Sequence, residues 1–377
     1  MTDTFEWDPK LAGFGKRIRD GRATWVIQFR LGHQQRRMTL GSAEKLSQAQ
    51  ARDQARKRLA QVELGHDPAG DKQQSRAEAR HTLRTVIADY LAAKQERVRP
   101  RTYTEVARYL RDHWSALHCV PIKGIKRHDV ALELTKMARK HGNASTARAR
   151  ATLSAFFVWA MGEGIADANP VIGTNKPAEG PPRSRVLSDH LELAAIWHAC
   201  GDDDYGRIVK LLMLTGCRRA EIGGLRRSEI DVDAHLIRLP AERCKNHRAH
   251  ELPLPDLAWV VLQEALQSSG EHVFGRAGFR SWSHGKEALD QRLGDTVAPW
   301  RLHDVRRSVA TRMSDIGIMP HVVEAILNHQ SGHKAGPAGV YNLSKYQNEV
   351  RRALAMWSEH VLALVEGRKS NVVSLHA

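Results

Sequence analysis

At 377 residues with 42% hydrophobic side chains, the chain is long enough for two or three domains with their own cores, which excludes wholesale disorder. Lys and Arg number 58 against 42 Asp and Glu, and the formal charge of +16 points to a polyanionic partner, either nucleic acid or an acidic membrane face. No run of ~18 apolar residues predicts a membrane span, and the start MTDTFEWDPK lacks a signal peptide's basic and apolar parts, so a soluble cytoplasmic protein is expected.

The first 65 residues read as a small mixed module. Trp25, Ile27, Phe29 and Leu31 alternate with Val26, Gln28 and Arg30, the period of a half-buried strand. Asp20-Gly21 before it suits a hairpin turn, and Arg36 to Leu40 supplies a third strand. Ser47 with Gln50 predicts a capping box opening a helix, with Ala51, Ala55, Leu59 and Val62 on one face and Gly65 at its end. The other faces carry Arg52, Arg56, Lys57 and Arg58. Such cations are ordinarily a solvated surface, but Lys16, Arg17, Arg19, Arg36 and Arg37 beside them make a phosphate-contacting module an equal reading.

Residues 66–81 lack apolar periodicity and hold Pro and Gly, which predicts a linker. Residues 82–172 are helical throughout: Leu83, Val86, Ile87, Tyr90 and Leu91 share a face, and Val106, Tyr109, Leu110 and Leu117 continue in a second helix. Asp129 and Ser145 are expected to cap two more, before Asn169-Pro170 closes the bundle. A second linker, 173–185, leads to a mostly helical domain over 186–365 with one strand pair, His235 to Leu239 and Glu251 to Leu254. Residues 366–377 read as a tail. The expected fold is mainly α with small β elements (α+β), in three domains, the first a three-stranded sheet plus helix.

Four segments of the last domain carry candidate chemistry. After an apolar helix stopping at Thr215-Gly216, Arg218 and Glu221 fall three apart, on one face; alone, they read better as a surface ion pair. Lys245 sits in the turn of the strand pair, where lysines are usually just solvated. In His303-Asp304-Val305-Arg306, the buried stripe Leu302, Val305, Val309 and Met313 sends His303 and Arg306 out together. A following helix with Val323, Ile326 and Leu327 buried ends at His329, and Tyr341 comes twelve positions later. Two arginines, a lysine, two histidines and a tyrosine without clustered carboxylates suit phosphoryl chemistry, because arginine offers a planar fork to non-bridging oxygens and tyrosine a nucleophile. His247 and His250 have no completing ligand, and Cys119, Cys200, Cys217 and Cys244 form no C-x-x-C pair; no metal or cofactor is expected, and the thiols read as reduced.

This ordered set closely resembles the tyrosine recombinase (phage integrase) family. Arg218 matches the arginine of its T-G-x-R-x-x-E segment and Glu221 the acidic partner; Lys245 matches the hairpin lysine, His303 and Arg306 the H-x-x-R pair, His329 the L-x-H histidine and Tyr341 the nucleophile. The N-terminal module, ending in GHDP at 65–68, resembles the arm-binding module of prophage and genomic-island integrases, and the helical middle with Phe157-Val158-Trp159-Ala160 their core-binding domain. Ala220 departs from a frequent Ser and Leu343 from a frequent Arg; Tyr346 is a rival nucleophile, Arg219 is expected to face surface or DNA, and Arg307 is expected to bind DNA.

The resemblance implies a site-specific integrase acting through a 3′-phosphotyrosine, without metal or ATP, to integrate or excise a mobile element. Arg218 and Arg306 would hold the phosphate, Lys245 protonate the leaving 5′ oxygen, His303 accept the tyrosine's proton, His329 hydrogen-bond the phosphate and Glu221 orient the site. Its partners would be double-stranded DNA attachment sites, copies of itself in a tetramer on DNA, a DNA-bending protein and a directionality factor, with no membrane role. The alternatives are DNA relaxation of the type IB topoisomerase kind and a catalytically silent DNA-binding regulator.

Overall fold

The computed structural model describes residues 3–178, 180–181, 183–329 and 346–368. They fall into two compact units, one ending at Pro181 and one beginning at Pro182. The first unit holds two separate apolar cores and the second holds one.

The N-terminal sheet has four antiparallel strands in chain order, not three: β1 (Thr4–Trp7), β2 (Phe14–Arg19), β3 (Arg22–Leu31) and β4 (Gln34–Ser42). The additional strand, β1, lies at the edge with Glu6 and Trp7 exposed, so it shows no buried alternation. Asp20 and Gly21 make the β2–β3 turn with φ of 49° and 73°, a pair of left-handed residues whose twist matches that of the strands. Trp25, Ile27 and Phe29 point to the core with Phe14 and Met38, against Ala51 and Ala55 of helix α1 (Gln48–Glu63). Ser47 and Gln50 form the expected capping box on α1, and Gly65 closes it by donating to the Val62 carbonyl.

The stretch read as a linker is largely a helix, α2 (Pro68–Arg80). Pro68 at its first turn presets φ, and its Ala, Gln, Lys, Arg and Glu residues favour helix without needing an apolar stripe. Polar contacts hold both ends. Asp67 pairs with Arg36 of β4, Lys72 donates to the Thr39 carbonyl at 2.6 Å, and Glu78 pairs with Lys123 at 3.1 Å.

The helical middle comprises α3 (Leu83–Gln95), α4 (Pro100–Arg108), α5 (Arg127–His141) and α6 (Asn143–Gly162). All five expected residues of α3 are buried, and Tyr90 meets Phe156 edge to face at 5.5 Å between centroids. The second predicted helix is broken: α4 runs into a π-type turn over Tyr109–His113, and Leu117 ends a separate 3-10 turn. Two expected caps are corrected. Asp129 lies inside α5 and accepts the Lys126 N–H at 2.9 Å, while α6 starts after Gly142, leaving Ser145 within it. Asn169 does close the bundle: its amide donates to the Ser154 carbonyl (3.2 Å) and its oxygen accepts from Val171 N–H (3.0 Å).

The second unit is built on α7 (Ala194–Ala199), α8 (Asp204–Thr215), α9 (Arg219–Gly223), a three-stranded sheet β5 (Ile230–Asp231), β6 (Leu236–Leu239) and β7 (His250–Pro253), then α10 (Asp256–Ala265), α11 (Trp282–Leu293), α12 (Leu302–Asp315), α13 (Pro320–Ile326) and α14 (Gln347–Val365). The expected strand pair is thus joined by a short third strand. Helix α8 is the axis of this core, buried along most of its length, and Trp357 of α14 donates to the Met213 carbonyl at 2.8 Å. Among the described residues no helix is long and apolar enough to cross a membrane.

Candidate active site

Helix α8 stops because the chain reverses at Gly216, whose φ is +63°. Thr215 prepares the break: its hydroxyl donates to the Leu211 carbonyl (2.6 Å) and accepts from the Cys217 N–H (3.3 Å). The chain then extends through Arg218 into the short helix α9. Glu221, 3% exposed, serves Arg218 twice. One carboxylate oxygen accepts the Arg218 backbone N–H at 2.8 Å and the other its guanidinium at 2.7 Å. The two ends of Arg218 are thus held by one acid, a fixed geometry rather than a loose surface pair.

Arg306, on α12, is 5% exposed. Its guanidinium donates to two carbonyls, those of Gly216 and Leu327 (2.7 Å to the latter). Burial and the neighbouring Arg218 charge hold its pKa down to about 10, so it remains a cation at neutral pH. Arg218 donates to the next carbonyl along, that of Asn328, at 3.4 Å. Two guanidinium groups are therefore anchored on consecutive carbonyls at the end of α13, immediately before His329.

A cavity of about 610 Å³ opens over these groups. Arg218, Lys245, His303 and Arg306 line it, with Arg219 beside them. Tyr205, Trp282 and Trp300 form an aromatic wall, Arg219 lying 5.3 Å over the Trp282 ring. The His303 pKa is lowered by partial burial and then by Arg306 and Arg307, and that of His329 by partial burial, Arg306 and Arg218. Both imidazoles are therefore neutral at pH 7. Cys217, also at the cavity, is buried and its thiol is pushed up to about 12, so it stays uncharged.

Of the expected catalytic residues, four line this one cavity and Glu221 stands behind Arg218. His329 follows the two anchoring carbonyls. Tyr341 lies outside the described residues. Tyr346 precedes α14 and packs on the main core, its ring 4.9 Å from that of His321. The expected DNA-facing residues divide. Lys16, Arg17 and Arg19 lie on β2 beside Glu6 and Asp3, and Arg37 covers the Phe5 ring at 4.1 Å. Arg36 pairs with Asp67, and Arg307 with the Arg185 carbonyl and Asp304.

Several supporting residues escaped the sequence reading. Asp304, 1% exposed as a side chain, accepts Arg183 on both oxygens at 3.0 Å and the Arg301 N–H at 2.9 Å, fixing the start of α12. Its neighbours in H-D-x-R drew attention while its own burial gave no sequence signal. Arg243 pairs with Glu229 and donates to the Ala220 and Glu221 carbonyls (3.2 and 2.9 Å), clamping the β6–β7 connection to α9. His250 is buried near Glu221 and Arg306, its pKa driven down to about 4, chiefly by burial.

Three family models match in order: the Arm DNA-binding domain over residues 4–75, the phage integrase central domain over 83–176 and the phage integrase family over 189–338. The chain is 25% identical over 266 residues to prophage integrase IntA of Escherichia coli K12, covering 68% of this chain and 64% of IntA. It is 25% identical over 356 residues to the integrase of Enterobacteria phage P4, covering 84% and 77% respectively. The fold matches a lambda integrase tetramer bound to a Holliday junction with a TM-score of 0.59 and 20% identity, over 86% of this chain and 97% of that one. With an arm, a central and a catalytic match in sequence along its length, the chain belongs to the tyrosine recombinases of the phage integrase family.

Proposed function

We propose that this chain is a site-specific DNA recombinase that integrates or excises a mobile element. The observation that carries the proposal is the cavity in which Arg218, Lys245, His303 and Arg306 meet, with both guanidinium groups fixed from behind. A phosphodiester in flight to a pentacovalent state gains charge on its non-bridging oxygens, and donors that need no reorganisation stabilise it most. Arg218, braced by Glu221, and Arg306, braced by two carbonyls, are such donors.

The hydroxyl oxygen of Tyr341 attacks the phosphorus, its proton passing to neutral His303. The bond from phosphorus to the 5′ oxygen breaks, and Lys245 protonates that oxygen. The products are a 3′-phosphotyrosyl link and a free 5′-hydroxyl. His329 donates a hydrogen bond to the phosphate. Attack by the 5′-hydroxyl of a second duplex reverses the step and joins the new strand, so the phosphodiester's energy is conserved and no cofactor is consumed. The partners are double-stranded attachment sites and further copies of the chain, four on two duplexes, with a DNA-bending protein and a directionality factor setting direction. The lambda integrase tetramer on a Holliday junction supports the fourfold assembly.

A nicked duplex carrying the sequence that flanks this gene should trap a covalent adduct, because the cleaved strand loses its 5′ end. Digestion and mass spectrometry should find the nucleotide on the peptide containing Tyr341. An adduct on Tyr346 would reassign the nucleophile, and relaxation of any plasmid regardless of sequence would favour the topoisomerase reading.

The rate of adduct formation should also depend on pH with a defined sign. His303 accepts a proton only when neutral, and its pKa lies below 6.5. Activity is therefore present at neutral pH and lost as pH falls through that lowered value. A single-turnover profile should show an acid limb that His303→Gln removes; an acid limb unchanged in that variant would contradict the assignment.

A further inference from the structure

Lys245 lies exposed on the β6–β7 connection, 240–249, and its role demands a defined position. Two anchors flank it. On the near side Arg243 reaches the Ala220 and Glu221 carbonyls of α9, and Cys244 is fully buried. On the far side the Asn246 amide donates to both oxygens of Asn328, at 2.9 Å to its backbone carbonyl and 2.8 Å to its side chain. Asn328 answers by donating to the Arg248 carbonyl at 3.3 Å.

Asn328 holds a φ of +49°, a left-handed conformation that asparagine tolerates better than most side chains. Its backbone carbonyl receives the Arg218 guanidinium as well as Asn246. One oxygen therefore locates both a phosphate-binding arginine and the strand connection bearing the lysine. The next residue is His329. Arginine, lysine and histidine are thus referred to a single peptide.

We infer that the Asn246–Asn328 clasp is a positioning device for Lys245, holding its ammonium where it can deliver a proton to the leaving 5′ oxygen. The inference rests on the assignment of Lys245 as general acid given above. Asn246 touches no reacting atom; it acts through the residue before it. Freed from the clasp, the connection loses the anchor next to Lys245, and a displacement on the order of 1 Å can cost about 10²-fold in rate.

The leaving group separates positioning from mere structure. An alkoxide needs a proton, its conjugate acid resembling water at about 15.7. A thiolate, with a conjugate acid near about 8.5, leaves without one. Single-turnover cleavage should be measured on the flanking-sequence duplex with oxygen or sulfur at the bridging 5′ position. Asn246→Ala should be slowed about 10²-fold on oxygen and match the parent on sulfur, with an unchanged circular dichroism spectrum. Asn246→Asp, which keeps the shape and cannot donate, should behave alike. Equal slowing on both substrates, or no slowing on oxygen, overturns the clasp as a positioning device. Lys245→Ala on the same two substrates tests the underlying assignment separately: if sulfur fails to restore that variant, Lys245 is not the acid and the clasp's role falls with it.

Discussion

Replacing Arg306 by alanine should slow adduct formation by about 10³-fold and should also destabilise the second unit. The catalytic part follows from removing a fixed cation at the phosphate, where the loss of a single preorganised donor costs about 10²–10³-fold. The structural part follows from burial. Arg306 is 5% exposed and its fork satisfies the Gly216 and Leu327 carbonyls, which alanine leaves unpaired. Each orphaned buried acceptor costs about 1–3 kcal/mol. Arg306→Lys separates the two effects, because one ammonium keeps the charge but lacks the planar fork that spans both carbonyls. It should fold with a higher urea midpoint than the alanine variant and still cleave about 10²-fold more slowly than the parent. A lysine variant with parental rate would show that charge alone suffices and that the fork's geometry is irrelevant.

The second large effect is expected at Gly216, a residue with no side chain to lose. Gly216→Ala places a Cβ 2.8 Å from Leu327 Cδ2 and 3.1 Å from Val309 Cγ1, in a backbone conformation of φ +63°. The left-handed strain costs about 1–2 kcal/mol and the overpacking about 1–3 kcal/mol, so a loss of about 3 kcal/mol is the central expectation. Relief of the clash must move either Leu327 or the peptide of Gly216, and each of them supplies a carbonyl to Arg306. Adduct formation should therefore fall even at temperatures where the variant is fully folded. The check is a urea midpoint beside a single-turnover rate at low temperature; a variant destabilised but fully active would uncouple this turn from the arginine.

These two residues illustrate what the sequence could and could not disclose. The apolar stripes of α3 and α12, the Ser47 capping box and the order of the cavity residues are local or periodic signals, and the folded chain displays each of them. Helix α2 escaped because it is held by its ends, through Asp67, Lys72 and Glu78, and buries almost no stripe. Strand β1 escaped because an exposed edge leaves no alternation. Asn246 and Asn328 pair across the fold, and a polar contact between distant segments has no period to read. Basic residues were legible in number but not in duty. Arg36 and Arg307 meet Asp67 and Asp304, pairings between segments that only the fold brings together.

Helix α2 has a further consequence for the first unit. A slack connection absorbs a deleted or inserted residue by changing its path, but a helix converts it into rotation, about 100° for each residue, and a shift of about 1.5 Å. Its thirteen residues amount to a shaft of about 20 Å, keyed to the sheet by Lys72 and to the helical bundle by Glu78. The angular phase between the two halves of this unit is consequently written into the number of residues from Pro68 to Arg80. Length variation tolerated in a tether becomes, in this shaft, a change of bearing.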